Sequence, residues 1–271
     1  MGPQDRRPLV VESPTNPAVR MLRDLHTRDG RREHGAFLIE GTRLVAEAVS
    51  ASWPLLVALY DPERASSDAT LSALVARIPD AVQASRKAIK HACDTVTPQG
   101  IVAAAKLPAF AGALEANEPL ALVMDGVADP GNAGTLLRSA LGSGVRTVLV
   151  PRGGVDPFSP KVVRAGMGAH FRLRLGADLS WDEVAGILGA NRRVAMAEAR
   201  GETTYYDFDW SRPAVVIVGG EARGPGPEAA RLATDRVSIP LEAGVESLNA
   251  AVAGSIILFE AKRQREQHAG P

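Results

Sequence analysis

The chain has 271 residues, of which 45% are hydrophobic, and its 31 basic and 31 acidic side chains give a formal net charge of zero. This composition is typical of a globular protein and excludes one that binds nucleic acid through net charge alone. The longest strongly apolar stretch, residues 250–259, is about half the ~20 residues that a membrane-spanning helix needs, so we expect no membrane association.

The cysteines and histidines of the sequence indicate the compartment of the protein and whether it has a metal site. The single cysteine, Cys93, excludes a disulfide within one chain, and such a chain is typical of a reducing compartment. No two of the five histidines have the spacing of metal ligands, so we expect no metal site. The first residues carry charges and prolines where a signal peptide has an apolar run. We therefore expect a cytoplasmic protein.

The first half of the chain alternates predicted helices with predicted strands. Helices are predicted at residues 16–32, 42–52, 68–77 and 86–94, and strands at 37–41, 55–60, 81–85 and 101–106. Thr42 is the expected N-cap of the second helix. These elements predict a small α/β domain over residues 13–106. The proline-containing stretch 107–118 is the expected linker to a second domain.

The second half repeats the alternation with longer apolar strands. Helices are predicted at residues 132–143, 159–168, 181–190, 227–233 and 247–265, and strands at 120–125, 147–151, 171–175, 192–199, 214–221 and 236–241. This alternation predicts a parallel sheet covered on both faces, over residues 119–267. Ligands of such sheets bind beyond the carboxyl ends of the strands, so the loops after Asp125, Ala197, Val218 and Ile239 are the expected ligand-binding loops.

The stretch DPGNAGTLLRSALGSG, residues 129–144, predicts a turn that opens into a helix with Asn132 as its N-cap. Its apolar residues recur at helical spacing and indicate a buried face. Asn132, Thr135 and Arg138 form a polar row away from that face. Core packing does not explain this row, so its amide and guanidinium are candidate functional groups.

The loop GGEARGPG, residues 219–226, follows an apolar strand. Its glycines allow backbone groups to approach a ligand closely, but Pro225 stands where a phosphate-binding P-loop has lysine. The sequence also lacks the glycine fingerprint of a nicotinamide enzyme and the G-x-S-x-G elbow of a hydrolase. Glu221 is a lone carboxylate in this loop. A tight turn without a ligand is the alternative interpretation of the glycines.

The last predicted helix, residues 247–265, has Ser247 as its expected N-cap and Asn249 in its first turn. Its apolar residues run almost all the way round, which indicates burial inside the domain or against a second subunit. Lys262 and Arg265 lie near its C-terminus, where the helix dipole favours cations.

Three segments in this order resemble the three motifs of the SpoU/TrmH family of RNA ribose 2′-O-methyltransferases, which are trefoil-knotted enzymes. The first motif is present as Asn132, Gly134, Arg138 and Ser139, the second as Gly219, Glu221 and Gly224, and the third as Ile239, Pro240, Leu241, Ser247, Leu248 and Asn249. Residues 37–49 and 94–106 are similar to the family's N-terminal substrate-binding domain. Three positions depart from the usual Asn, Met and Val of these motifs: Gly220, Leu241 and Ala250.

The resemblance implies a C-terminal trefoil-knotted α/β domain with a parallel sheet, after a smaller α/β RNA-binding domain that is similar to small ribosomal proteins. It implies S-adenosylmethionine as the cofactor. It also implies methyl transfer to a ribose 2′-hydroxyl of RNA, with 23S ribosomal RNA favoured over transfer RNA. The implied cofactor-binding residues are Ala197, Val218, Gly219, Gly220, Ile239, Leu241, Leu248 and Asn249.

The resemblance further implies a homodimer in which Arg138 of one subunit faces the cofactor of the other. The implied catalytic residues are Arg138, Asn132, Glu221, Ser247 and Asn249, and the implied RNA contacts are Arg138, Arg164 and Arg43. Because arginine keeps its proton, we expect Arg138 to hold a phosphate and support the developing alkoxide, with the proton acceptor left open. The alternatives are a transfer RNA methyltransferase, a catalytically silent RNA-binding protein of the same fold, and an α/β oxidoreductase.

Overall fold

The computed structural model describes residues 10–110, 112–115, 118–190, 192–221 and 224–268. Contacts between residues divide the chain into two compact units. The first unit holds the described residues up to Leu107 together with Phe158–Arg164, and the second holds Pro108–Pro157 and the residues from Ala165 onward. No helix within the described ranges is both long enough and apolar enough to cross a membrane.

The first unit combines a four-stranded sheet with six helices in its described part before residue 108. The helices are α1 (Pro17–Asp24), α2 (Arg28–His34), α3 (Thr42–Ser50), α4 (Pro62–Ser67), α5 (Ala69–Val75) and α6 (Arg86–Ala92). The strands are β1 (Ala36–Glu40), β2 (Leu55–Tyr60), β3 (Val82–Gln83) and β4 (Ile101–Lys106). Their order is β1-β4-β2-β3, and only the β2–β3 pair is parallel.

Caps set the helix boundaries of the first unit and correct three predictions. The predicted helix 16–32 is two helices, because Thr27 Oγ1 accepts a hydrogen bond from Gly30 N at 3.1 Å and starts α2 anew. The residue that precedes α3 is Gly41, with φ of 88°, so Thr42 is not its N-cap. Asp61 caps α4, a helix that was not predicted.

The second unit is built on a seven-stranded parallel sheet in the order β7-β6-β5-β10-β8-β11-β9. The strands are β5 (Leu120–Asp125), β6 (Thr147–Pro151), β7 (Arg174–Leu179), β8 (Arg193–Ala197), β9 (Thr203–Thr204), β10 (Ala214–Gly219) and β11 (Asp235–Ser238). The helices after residue 107 are α7 (Pro130–Gly142), α8 (Pro160–Gly166), α9 (Trp181–Leu188), α10 (Pro227–Leu232) and α11 (Ala250–His268). Every residue of β5 and β10 is buried, which confirms the predicted α/β class with a parallel sheet.

Two helix starts in the second unit differ from the prediction. The N-cap of α7 is Asp129 instead of Asn132, because Asp129 Oδ1 accepts a hydrogen bond from Asn132 N at 2.8 Å. The start of α11 is capped by Asn249 instead of Ser247, because Asn249 Oδ1 accepts hydrogen bonds from the N–H groups of Ala251 and Val252 at 2.9 and 3.2 Å.

One predicted strand is displaced, and one strand was not predicted. Residues 171–175 do not form a strand throughout, because Ala169–Phe171 is a 3-10 turn that follows the left-handed Gly168. Pairing with β6 begins only where Arg174 lies opposite Thr147, so β7 starts there. The two-residue strand β9 pairs with β11 at the sheet edge.

Candidate functional site

A cavity of about 680 Å³ lies where β8, β10 and β11 end. It is bounded by the loop after β8, by the glycine loop 219–226, by the segment that leads into α11, and by the first turns of α11. Every residue that the resemblance implied as a cofactor contact lines this cavity: Ala197, Val218, Gly219, Gly220, Ile239, Leu241, Leu248 and Asn249. Glu221 and Ser247 line it as well. The cavity therefore occupies the carboxyl edge of the sheet, where such folds bind ligands.

In the described part of the glycine loop, residues 219–221 and 224–226, two positions have no room for a side chain. A Cβ on Gly219 would lie 2.1 Å from Pro225 N, and a Cβ on Gly220 would lie 2.2 Å from Gly126 O. Gly224 N donates a hydrogen bond to Gly220 O at 3.0 Å and closes the loop. The loop therefore presents main-chain atoms to the cavity, and its path accounts for glycine at position 220.

Asp125 fastens the end of the glycine loop to β5. Its Oδ2 accepts a hydrogen bond from Gly226 N at 2.6 Å. Burial raises the pKa of the Asp125 carboxyl and the charge of Glu228 adds to this rise, while the Gly226 N–H group acts in the opposite direction. A carboxylate at the end of an otherwise apolar strand thus has a structural explanation, since it holds the loop that forms one side of the cavity.

Three side chains from three distant segments form one hydrogen-bonded chain beside the cavity. Asn132 Nδ2 donates to Glu221 Oε1 at 2.6 Å, and Asn249 Nδ2 donates to Asn132 Oδ1 at 3.0 Å. Partial burial acts to raise the pKa of the Glu221 carboxyl, but the hydrogen bonds from Asn132 and from nearby backbone N–H groups outweigh it and hold this pKa below its usual value. Glu221 is therefore an ionised acceptor that orients the Asn132 amide.

Close packing places the first turns of α11 against the cavity. A Cβ on Gly254 would lie 2.6 Å from Leu136 Cδ2 and 3.0 Å from Val218 Cγ2, so a larger residue would require these side chains to shift where α11 packs on α7 and β10. Ala253 and Ile257, which flank this contact, line the cavity.

Arg138 stands apart from the cavity of this chain. It is exposed on α7 and is not among the residues that line the cavity. Within the part of the chain that the structure describes, its guanidinium has no hydrogen bond, ion pair or ring contact. Its neighbour in the polar row, Thr135, is exposed too. The guanidinium is therefore available to a group from outside this chain.

The two other arginines implied as RNA contacts lie in the first unit and not at the cavity. Arg43 is exposed on α3. Arg164 Nη2 donates to Asp94 Oδ2 at 2.8 Å, and Arg164 Nη1 lies 3.6 Å from Glu40 Oε1. Two carboxylates thus hold the Arg164 guanidinium, whereas Arg43 lies open to solvent.

Several lining residues were not predicted as site residues: Glu198, Ala199, Arg200, Gly224, Pro225, Val237, Ala250, Ala253 and Ile257. Glu198 accepts hydrogen bonds from Arg236 Nη1 at 3.1 and 3.2 Å on its two carboxylate oxygens. The signal for Glu198 and Arg200 was present, because both follow Ala197 in a loop predicted to bind ligand. The signal for Ala253 and Ile257 was their spacing of four and eight residues from Asn249 on one helix.

Two family profiles match the chain. The profile described as SpoU rRNA Methylase family matches residues 119–259, and the profile described as MRM3-like substrate binding domain matches residues 16–103. The protein rRNA methyltransferase 3, mitochondrial, of Homo sapiens is 32% identical over 295 residues, which cover 88% of this chain and 70% of that protein. The 23S rRNA (uridine(2479)-2′-O)-methyltransferase of Streptomyces viridochromogenes is 30% identical over 250 residues, which cover 89% of this chain and 87% of that protein.

Solved structures are similar to the chain over almost its whole length. The SpoU methyltransferase AviRb from Streptomyces viridochromogenes, in complex with the cofactor AdoMet, has a TM-score of 0.84 and 28% identity, and covers 93% of this chain and 98% of its own. An AdoMet-bound rRNA methyltransferase from Sinorhizobium meliloti has a TM-score of 0.80 and 30% identity. The match covers 94% of this chain and 97% of that one. Both units of the chain thus have counterparts in these proteins.

Proposed function

Because the chain belongs to the SpoU rRNA Methylase family, we propose that it transfers a methyl group from S-adenosylmethionine to a ribose 2′-hydroxyl of ribosomal RNA. The observation that carries this proposal is the cavity beside the hydrogen-bonded side chains of Asn132, Glu221 and Asn249. These hydrogen bonds bring together three segments, each from a different part of the second unit, at one edge of the sheet. Ribosomal RNA is favoured over transfer RNA because the human and Streptomyces relatives named above are ribosomal RNA methyltransferases and span most of this chain.

The cavity suits S-adenosylmethionine in size and in chemistry. Its volume of about 680 Å³ falls within the roughly 300–1,000 Å³ that is usual for small-molecule sites. Apolar side chains and the main chain of the glycine loop form much of its wall, which fits an adenosine without phosphates. Among the described lining residues Arg200 is the sole arginine or lysine, so a polyphosphate ligand fits less well. When bound, the cofactor supplies a methyl group on a positively charged sulfur.

The residues of this chain would align the acceptor and balance its charge. The main chain around Gly219, Ile239 and Leu248 would hold the adenosine. Glu221 and Asn249 fix the amide of Asn132, which would orient the ribose, and Ser247 would complete the cavity wall. Arg138 would bind an RNA phosphate and stabilise the alkoxide that forms on the 2′-oxygen. The 2′-oxygen would gain the methyl group as its bond to sulfur breaks, which leaves S-adenosylhomocysteine. Because a guanidinium keeps its proton, the hydroxyl proton would pass to solvent water.

We propose a homodimer because Arg138 lies outside the cavity of its own subunit. An exposed guanidinium without an intramolecular partner among the described residues can complete the cavity of a second copy. Val252 and Phe259 on α11 are each 47% exposed, and such apolar side chains on an exposed surface support packing against that copy.

The proposed compartment is the cytoplasm. Cys93 is the only cysteine of the chain and is a buried free thiol, which a reducing compartment preserves. Cell fractionation with an antibody to the protein tests this, and recovery with a membrane or organelle fraction would contradict it.

Calorimetry and methyl transfer test the proposed activity together. We expect S-adenosylhomocysteine to bind the purified chain and NAD not to bind. With radiolabelled S-adenosylmethionine and protein-free RNA, 23S ribosomal RNA should gain label at a 2′-oxygen, which blocks alkaline cleavage at that nucleotide. Binding of NAD without S-adenosylhomocysteine, or label in transfer RNA alone, would overturn the proposal. Mapping of ribose methylation in a deletion strain and its parent then identifies the nucleotide.

A further inference from the structure

A short turn after β8 carries charged groups of the cofactor cavity that the three sequence motifs do not include. Glu198 and Arg200 line the cavity two residues apart, and the third charged residue of its described lining is Glu221. Asn132 Nδ2 already engages Glu221 at 2.6 Å. We propose that the turn recognises the α-amino acid end of S-adenosylmethionine, with Arg200 on its carboxylate and Glu198 on its ammonium group. This inference rests on the proposed function and names the groups by which the cavity selects its ligand.

The Arg200 guanidinium is free to bind an anion. Arg200 is exposed in the turn, and over the described ranges its side chain has no hydrogen bond, ion pair or ring contact. The α-carboxylate is the one anionic group of S-adenosylmethionine, because the molecule contains no phosphate. A guanidinium presents paired N–H donors that match the two oxygens of a carboxylate. Arg200 is therefore the described lining residue whose charge and shape suit this group.

The Glu198 carboxylate is oriented by the neighbouring strand and can still accept from a ligand. Arg236 Nη1 donates to its two oxygens at 3.1 and 3.2 Å. Arg236 belongs to β11 and is not among the residues that line the cavity. Each carboxylate oxygen can accept more than one hydrogen bond, so Glu198 has acceptor positions left for an ammonium group. A carboxylate and a guanidinium two residues apart thus complement the two opposite charges of an α-amino acid.

Both ends of the turn are fastened to β11. At the first end, Glu198 N donates to Val237 O at 2.9 Å. At the other end, Ser238 Oγ donates to Gly201 O at 3.1 Å. A Cβ on Gly201 would lie 2.6 Å from the carbonyl carbon of Val237, so glycine lets the turn pass this close to the strand. A turn that is held at both ends loses less conformational entropy on binding than a loose loop.

Three ligands that differ in their charged groups test the inference on the full chain. S-adenosylhomocysteine carries the ammonium and the carboxylate, decarboxylated S-adenosylhomocysteine carries the ammonium alone, and methylthioadenosine carries neither. Titration calorimetry measures the affinity of each. Arg200→Ala should weaken S-adenosylhomocysteine about tenfold, since it removes a hydrogen bond between charged groups. The same variant should bind the other two ligands as tightly as wild type does, because they have no carboxylate.

Further variants separate charge from shape. Glu198→Gln should weaken both ligands that carry the ammonium by about threefold, a small effect because Arg236 already balances part of the charge. Arg200→Lys keeps the charge without the paired donors and should recover part of the affinity that Arg200→Ala loses. Arg146→Ala, at an exposed arginine elsewhere in the second unit, is the control and should bind all three ligands like wild type.

The remaining outcomes contradict the inference or its basis. If Arg200→Ala binds S-adenosylhomocysteine as tightly as wild type, the carboxylate has another partner and the inference is wrong. Equal weakening of all three ligands also overturns it, because Arg200 then shapes the cavity without selecting a charged group. The ratio of two affinities within one variant cancels any general loss of folded protein, and melting temperatures measure that loss. If wild type binds none of the three ligands, the proposed function fails together with the inference.

Discussion

Asn132 and Glu221 are 89 positions apart in the chain, yet Asn132 Nδ2 donates to Glu221 Oε1 at 2.6 Å. The carbonyl oxygen of the same amide accepts a hydrogen bond from Asn249. An asparagine side chain has one amino group and one carbonyl oxygen, and here both are engaged. The amide therefore has a fixed orientation before any substrate binds, as a site that acts by alignment needs.

Asn132→Asp should disturb this arrangement because it replaces the donor to Glu221 with a second carboxylate. We expect a lower melting temperature, equivalent to about 1–3 kcal/mol of lost stability, and weaker binding of S-adenosylhomocysteine. Differential scanning calorimetry and titration calorimetry measure the two effects. Thr135→Ala is the matched control, since Thr135 is exposed on the same helix. A wild-type melting temperature in Asn132→Asp would show that the hydrogen bond contributes nothing.

Arg138→Ala should lower methyl transfer by about 100-fold or more, the usual effect of losing one stabilising group for a developing anion. Its affinity for S-adenosylhomocysteine should stay at the wild-type value, because the proposed contacts of Arg138 are to an RNA phosphate and the reacting 2′-oxygen and not to the cofactor. Label incorporation measures methyl transfer, and titration calorimetry measures the affinity for S-adenosylhomocysteine. Arg146→Ala, at another exposed arginine of the second unit, should be neutral. Near-normal transfer in Arg138→Ala would remove this residue from the mechanism.

Mixed dimers test whether Arg138 serves the opposite subunit. An Arg138→Ala subunit keeps its cavity, and a Gly219→Val subunit keeps its arginine but has no room for the new side chain beside Pro225. Co-expression of the two, followed by tandem-tag purification, should give dimers with about half of the wild-type activity, since one complete site forms per dimer. Inactive mixed dimers would show that the arginine and the cavity must belong to one subunit.

Gly219→Ala should destabilise the second unit and weaken S-adenosylhomocysteine binding, because the new Cβ would lie 2.1 Å from Pro225 N. Gly186→Ala is the matched control, since a Cβ at that position on α9 has no heavy atom within 4 Å. Alanine in place of glycine inside a helix stabilises by up to about 1 kcal/mol. Thermal unfolding should therefore shift in opposite directions in the two variants. A shift in the same direction would contradict the tight path of the glycine loop.

His170 should make stability depend on pH. It is fully buried with Nε2 2.7 Å from Pro157 O, and burial lowers its pKa from 6.5 to about 4. Between these two values the unfolded chain binds a proton that the folded chain does not. The free energy of unfolding should therefore fall as pH drops from about 6.5 towards 4. Urea unfolding at several pH values measures this fall, and His170→Gln should reduce its slope. An unchanged slope would assign the pH dependence to other groups.

The central strands β5 and β6 of the second unit were predictable, but the start of β7, the short strand β9 and the helix starts were not. The apolar runs at β5 and β6 match the predicted ranges to the residue, because a strand buried on both faces is apolar throughout. At the start of α7, both Asp129 and Asn132 are residue types that can cap a helix. At the start of α11, the same is true of Ser247 and Asn249. Contacts over long sequence separations decide between them, since Glu221 and Asn249 engage the Asn132 side chain. Local sequence carries no information on such contacts.

The cavity was predictable from its motifs, whereas its charged wall was not. The glycines and many of the apolar residues of the cavity wall belong to the second and third sequence motifs. The position of Glu198 depends on Arg236, 38 positions away on the neighbouring strand. Strand order determines this pair, and the strand order β8-β11 is not encoded in either segment alone.

The hydrogen bond between Asn249 and Asn132 joins residues 117 positions apart, and this has a consequence during synthesis. A growing chain completes β5 and α7 long before Asn249 leaves the ribosome. Until then α11 does not cover the surface formed by Leu136 and Val218, which Gly254 meets in the finished protein. Closure of so long a loop is slow. We therefore expect a chain in which α11 has not yet docked to lack a complete cavity and to leave the apolar surface of Leu136 and Val218 uncovered.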